Sequence, residues 1–179
     1  MNAYDDQGEK APREECGVFG VWAPGEDVSK LAYYGLYALQ HRGQEAAGIG
    51  VGNGGQILVY KDLGLVSQVF DEQILGSLKG HIAIGHTRYA TTGGAVWENA
   101  QPMFRMASDG TDVALGHNGN LVNYQDLRAE AVEKGLVKKD AEPSDSDVMC
   151  ALLAEGINDD TSMEESAMKL FPRVKGAYC

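Results

Sequence analysis

Basic charge, paired cysteines and long apolar runs are what this chain has least of, and each shortage removes a class of function. Across 179 residues, 15 lysines and arginines stand against 26 aspartates and glutamates, a formal net charge of −11 at pH 7. A surface that acidic repels a phosphate backbone, so nucleic acid is not an expected partner, and the charge reads as solubility. The three cysteines, Cys16, Cys150 and Cys179, are odd in number, widely spaced and free of any CxxC pair. That argues against a disulfide framework or a zinc ribbon and suits a reducing compartment. No apolar run approaches the roughly 20 residues needed to cross a bilayer. Internal repeats are missing. A metal site from His41, His86, His117 and Asp145 has no ligand spacing such as HExxH behind it.

The first 15 residues, MNAYDDQGEKAPREE, lack an apolar stretch and carry five acids against two bases, so they are not a signal peptide. They read as a disordered tail whose composition ends abruptly at Cys16. Without a signal, and with this cysteine usage, a cytoplasmic protein is expected. At the other end the chain stops at GAYC, inside what reads as the start of a strand, which suggests a piece of a longer protein.

What is present is ordinary globular material, 44% apolar and 23% charged, in a length sufficient for one core. CGVFGVWAP reads as a strand buried on both faces, with Val18 and Trp22 on one side and Phe19 and Val21 on the other. Leu31, Tyr34, Gly35 and Ala38 recur at helical spacing and predict an amphipathic helix, closed near Gly43. AGIGVGN and QILVYKDL predict two strands joined by a hairpin at Asn53-Gly54-Gly55. GLVSQVF is a candidate strand, and Asp71 can cap a short helix over EQILGSL. HIAIGHTRY is a strand leading into the Gly-rich ATTGG, and VALGHNGNL a strand ending in a tight turn. Helices follow: YQDLRAEAVEK, capped by Asn123 and stopped at Gly135; DVMCALLAEGI, capped by Ser144 or Asp145; and a last one through Met163, Ala167 and Leu170, halted near Pro172. Strands first and helices later predict an α+β domain with segregated layers.

Four places concentrate reactive or constrained groups. Cys16-Gly17 heads the first strand, either as a nucleophile or as a packed structural thiol. In Gly85-His86-Thr87-Arg88-Tyr89-Ala90-Thr91-Thr92-Gly93, Arg88 can grip a carboxylate, or the segment is an ordinary turn. In His117-Asn118-Gly119-Asn120, a side-chain amide and a glycine N–H can stabilise an oxyanion, or Asn-Gly is a plain hairpin. In Ser144-Asp145-Ser146-Asp147, an acid can hold an ammonium while the segment caps a helix. Together they supply a thiol, two oxyanion donors, a cation and an anion, which is what hydrolysis of a zwitterionic amide requires.

In this order, CGVFG, LQHRGQEAAGI, GHTRYATTG, GHNGNLVN and PSDSD resemble the class II glutamine amidotransferases, a branch of the N-terminal nucleophile hydrolases. The likeness runs from Cys16 to the end of the chain. The form of the third and fifth motifs, with GLVSQVF between the second and third, points to members that join glutamine-derived ammonia to phosphoribosylpyrophosphate at the start of purine synthesis. The resemblance implies an αββα four-layer sandwich, incomplete at its C-terminal side. It makes residues 1–15 a propeptide cut at Glu15–Cys16, and residues 16–179 the glutaminase domain, truncated. The free α-amine of Cys16, which titrates near neutral pH, then serves as base for its own thiol. It assigns the oxyanion hole to Asn118 and Gly119, the substrate carboxylate to Arg88 and Thr91, and the ammonium to Asp145 and the backbone of Gly119. Arg42 stands beside the nucleophile and His86 supports the pocket.

No cofactor is expected in the chain itself. The family implies Mg2+, an iron–sulfur cluster in some members, a following phosphoribosyltransferase domain, a homotetramer and nucleotide inhibition, all beyond these residues. Rival readings are the glutaminase domain of another class II amidotransferase, or a glutamine-binding module that keeps its leader and turns nothing over.

Overall fold

The computed structural model describes residues 16–89 and 96–179. The leader with its expected cut, and Thr91, lie outside them.

Four strands form the first sheet: β1 (Gly17–Trp22), β2 (Ala46–Gly52), β3 (Ile57–Leu63) and β4 (Ile82–Arg88). Their order is β1-β4-β2-β3, antiparallel throughout. Because side chains alternate along a strand, the sheet has two very different faces. On one, Ala47, Ile49 and Val51 of β2 and Ala83 of β4 pack beneath α1 (Val28–Ala38), α2 (Val66–Val69) and α3 (Glu72–Ser77). On the other, Gly48 and Gly50 of β2 and His86 of β4 face a second layer made of two short ladders. These are β5 (Met103–Met106) with β6 (Asp112–Leu115), and β7 (Gly119–Leu121) with β8 (Gly176–Tyr178).

Helices α4 (Tyr124–Glu133), α5 (Asp145–Glu155) and α6 (Met163–Leu170) cover that second layer. Their core includes Met103, Val113, Leu121, Leu127, Val148 and Leu152. Helix, sheet, sheet and helix stack as the αββα layering expected from the sequence. Gly48 lets the two sheets meet: a Cβ there would lie 2.0 Å from the carbonyl oxygen of Gln101.

Local chemistry explains most of the expected elements. Asn53 closes the β2–β3 hairpin by accepting from the Gly55 and Gln56 amides at 2.9 and 3.0 Å. Asp71 caps α3 through Ile74 N–H at 2.7 Å, Ser144 caps α5 through Asp147 N–H at 3.2 Å, and Gly135 ends α4 at φ +72°.

Several expectations are corrected. Within GLVSQVF the chain is helical, not extended, over Val66–Val69. Gln40 Oε1 takes the Val66 amide at 2.6 Å and Gln68 Oε1 the Leu65 amide at 3.0 Å, satisfying donors at the helix start. Val66 and Val69, three apart, then point into the same core. Helix α1 buries Val28, Ser29, Ala32 and Leu36, whereas Leu31 and Tyr34 of the expected face are exposed. The helix sits on the sheet through its small residues, with Gly35 against the Phe19 ring and Leu36 over Gly85. Trp22 was expected inside but is 70% exposed, because β1 lies at the end of the sheet order. His117–Asn120 makes no tight turn; the chain runs on extended and pairs with β8. Asn123 stands at the α4 N-cap without capping it. Its side chain instead accepts from Lys175 N–H at 2.9 Å and donates to Arg173 O at 3.0 Å.

Candidate active site

The register of β1 on β4 sets Gly17 opposite Thr87, so Cys16 emerges beside Arg88 and Tyr89 at one edge of the stacked sheets. Only glycine fits at 17, since a Cβ would lie 2.6 Å from Thr87 Oγ1 and 2.9 Å from Leu39 Cβ. The Tyr89 amide donates to Cys16 Sγ at 3.4 Å, and the thiol lies 3.7 Å from Tyr89 O. Two side chains grip the Cys16 carbonyl: Asn118 Nδ2 donates at 2.6 Å and Arg42 Nε at 3.2 Å. Arg42 ends the short turn Gln40–Arg42, which Gln40 Nε2 fixes by donating to Gly43 O at 2.5 Å.

A cleft of about 560 Å³ opens in front of the thiol, with Cys16, Arg88, Gly119 and Asp145 on its walls. Asn118 exchanges both backbone hydrogen bonds with Cys179, at 3.0 and 2.7 Å. Gly119, one residue on, therefore falls at a non-bonded position of the ladder, and its N–H points away from β8. A Cβ on Gly119 would lie 2.4 Å from Ala177 O, so no other residue fits so close to β8. Asp145 begins α5. Its Oδ1 accepts the Ser146 amide at 2.8 Å and its Oδ2 faces the Leu121 amide at 3.4 Å, which orients the carboxylate.

Under the cleft the two sheets meet through polar groups. His86 is fully buried and its Nε2–H donates to His117 O at 3.1 Å, leaving Nδ1 bare of partners among the described residues. Burial pushes the His86 pKa down to about 4, so the ring is neutral. His117 Nδ1 lies 2.9 Å from Ser146 Oγ and 3.7 Å from Asp145 Oδ1. Burial lowers its pKa and the Asp145 charge works in the opposite sense. Cys150 is no nucleophile: it lies in the α5 core, where burial pushes its thiol up to about 12. Among the described residues no three His, Cys, Asp or Glu gather as a metal site, and no helix is long and apolar enough to cross a membrane.

Of the residues expected from the sequence, Cys16, Arg88, Gly119 and Asp145 share the cleft. Arg42 and Asn118 bond the Cys16 carbonyl, and His86 lies beneath. Thr91 falls outside the described residues. Sequence reading included Tyr89 and Ser146 in its candidate segments without giving them a role, and it passed over Gln101. Ser146 was hidden in a segment already explained as a helix cap. Gln101 follows the short turn Trp97–Asn99 with no local pattern to single it out.

A family model for a glutamine amidotransferase domain matches residues 86–179. An amidophosphoribosyltransferase of Mycobacterium bovis is 63% identical, over 97% of this chain and 33% of its own length. One from Synechococcus elongatus is 46% identical, over 93% and 33%. Among solved structures, an allosteric regulatory enzyme of purine biosynthesis superposes with a TM-score of 0.78 at 38% identity, over 90% of this chain and 34% of that one. The glutamine phosphoribosylpyrophosphate amidotransferase of B. subtilis, complexed with ADP and GMP, superposes at 0.76 and 36% identity, over 90% and 33%. The chain thus spans about a third of the length of these relatives.

Proposed function

The chain belongs to the glutamine amidotransferase domain family, and from that premise we propose that it hydrolyses glutamine with Cys16 as nucleophile. The ammonia then passes to phosphoribosylpyrophosphate, bound by a part of the protein outside this chain, to give 5-phosphoribosylamine. What supports this reading is one observation: four sequence-distant segments bring Cys16, Arg88, Gly119 and Asp145 to a single cleft.

In this mechanism removal of residues 1–15 frees the Cys16 α-amine, which takes the thiol proton as sulfur attacks the side-chain amide carbon. The oxyanion rests on the Gly119 N–H and on Asn118 Nδ2, whose second N–H remains after the first is given to the Cys16 carbonyl. Collapse returns the proton to the leaving nitrogen and expels ammonia. The same amine then activates water, which hydrolyses the thioester to glutamate. Arg88 pairs with the substrate α-carboxylate and Asp145 with its ammonium; Thr91 assists Arg88. Arg42 and His86 position the nucleophile and the oxyanion strand. Mg2+, any iron–sulfur cluster and the tetramer belong, on this reading, to parts of the protein beyond these residues. No step here runs through a metal, and the protein works in the cytoplasm.

Cys16→Ala is expected to lower glutaminase kcat by at least about 10⁴-fold, while Asp145→Ala mainly raises the KM for glutamine. Steady-state ammonia release measures both. Turnover surviving in Cys16→Ala ends the mechanism. A protein that binds glutamine and never hydrolyses it would leave only the binding-module reading.

A further inference from the structure

Gln101 has no place in the chemistry above, yet its side-chain amide bonds both of the elements that carry that chemistry. Its side chain is almost wholly buried. Oε1 accepts the His117 amide at 2.7 Å, and Nε2 donates to the His117 carbonyl at 3.1 Å, so both backbone groups of one residue are clipped. His117 directly precedes Asn118 and Gly119. The same Nε2 donates to Ser146 Oγ at 3.1 Å, and Ser146 directly follows Asp145. His86 completes the clip from the first sheet by donating to the His117 carbonyl. The backbone of Gln101 reaches this position only because Gly48 of β2 has no side chain.

We infer that Gln101 is a positioning residue that locks the oxyanion strand and the ammonium-binding end of α5 into one geometry. The inference rests on the glutaminase reading above. Gln101 lines the same cleft, but its side-chain amide is committed to protein groups, His117 N–H, His117 O and Ser146 Oγ. It fixes the direction of the Gly119 N–H through His117, and the place of the Asp145 carboxylate through Ser146. Substrate polarity is thereby tied to the point where negative charge develops, so glutamine bound by its zwitterion has its side-chain carbonyl at the donors. A displacement of either element by a fraction of an ångström separates binding from turnover.

The test uses the complete gene product and the near-isosteric Gln101→Glu, which keeps an acceptor for the His117 amide and removes both Nε2 donations. Two readouts are compared: glutamine kcat and KM, and the rate of Cys16 alkylation by iodoacetamide, which needs no oxyanion donors. The expected result is a kcat about 10²-fold lower, the size of losing one oxyanion donor, with a raised KM and alkylation near the wild-type rate. Ser146→Ala, which removes the Gln101 link to α5 together with the bonds of Ser146 Oγ to His117 Nδ1 and Asp145 Oδ1, is expected to raise KM more than it lowers kcat. Wild-type kcat and KM in a folded Gln101→Glu protein would overturn the inference. So would alkylation falling in step with kcat, since the residue would then hold the fold and not the site. If Gln101→Glu does not accumulate as folded protein, the uncharged Gln101→Met, which removes the same donations, decides by the same two readouts: a lowered kcat with near wild-type alkylation supports the inference, and wild-type kcat and KM overturn it. A parallel Cys16→Ala separates the two levels, because activity surviving there removes the glutaminase reaction itself.

Discussion

Between α1 and the first sheet, Leu36, Ile49 and Val51 are fully buried and carry only hydrocarbon. On the opposite face of the same sheet, Gly48 and His86 meet Gln101 and His117 of the second layer through a close backbone approach and a hydrogen bond. One sheet thus has a mainly apolar side, with Ser29 and Thr87 its buried hydroxyls, and a polar side. Apolar packing is non-directional and tolerates small shifts, so it suits a scaffold. Hydrogen bonds in a buried seam demand one arrangement and are costly when unmade. The stability of this domain should therefore reside mainly on its helix-covered faces, and the precision of its cleft in the seam between the sheets.

The widest gap between the two regions is expected from Leu36→Ala. Removing a fully buried leucine should cost about 2–5 kcal/mol of unfolding free energy, with glutamine kcat little changed in the folded fraction. Chemical denaturation beside ammonia release measures both. A large fall in kcat at a temperature where the variant is folded would break the division.

The seam has its own signature in pH. His86 stays neutral in the folded protein down to about 4, while the unfolded residue protonates near 6.5. Above 6.5 neither state takes the proton and the contribution is fully present. As pH falls from 6.5 towards 4 the unfolded chain binds more protons, and up to about 3 kcal/mol of stability is lost. Denaturation midpoints at pH 7.5 and 4.5 should differ less in His86→Gln than in the wild type. An equal difference would remove His86 from the account.

Gly48→Ala sharpens the comparison at the closest point of the two sheets. The added methyl meets the Gln101 carbonyl oxygen, and forcing them apart should cost about 1–3 kcal/mol. Unlike Leu36→Ala, it should also lower kcat in protein that is folded, because Gln101 moves. Lost stability with unaltered kinetics would show that the seam tolerates displacement.

The same contrast marks what could be read from the sequence. Signals that act locally were legible: the Asn53 hairpin, the Asp71 and Ser144 caps, the Gly135 stop, and the motifs whose residues Cys16, Arg88, Gly119 and Asp145 fold into one cleft, although Asn118-Gly119 was misread as a turn. The polar seam was not. Gln101, Ser146 and Gly48 matter because of what folding brings against them, and nothing in their neighbours announces it. The alternating glycines of AGIGVGN predicted a strand correctly and did not reveal that they form one face pressed on another sheet. Helix α1 failed differently. Its large residues Leu31 and Tyr34 dominated the periodicity, while close approach to the sheet favoured the smaller Ser29 and Ala32. Val66–Val69 was misread because its valines favour strands, and the partners that make it helical, Gln40 and Gln68, act through side chains.

The most direct test of the central claim is the intact mass of the complete gene product after exposure to an electrophilic glutamine analogue. The account predicts loss of residues 1–15 and one covalent adduct, carried on a peptide that begins with Cys16. An intact leader with no adduct, in a preparation that still releases ammonia from glutamine, would contradict it.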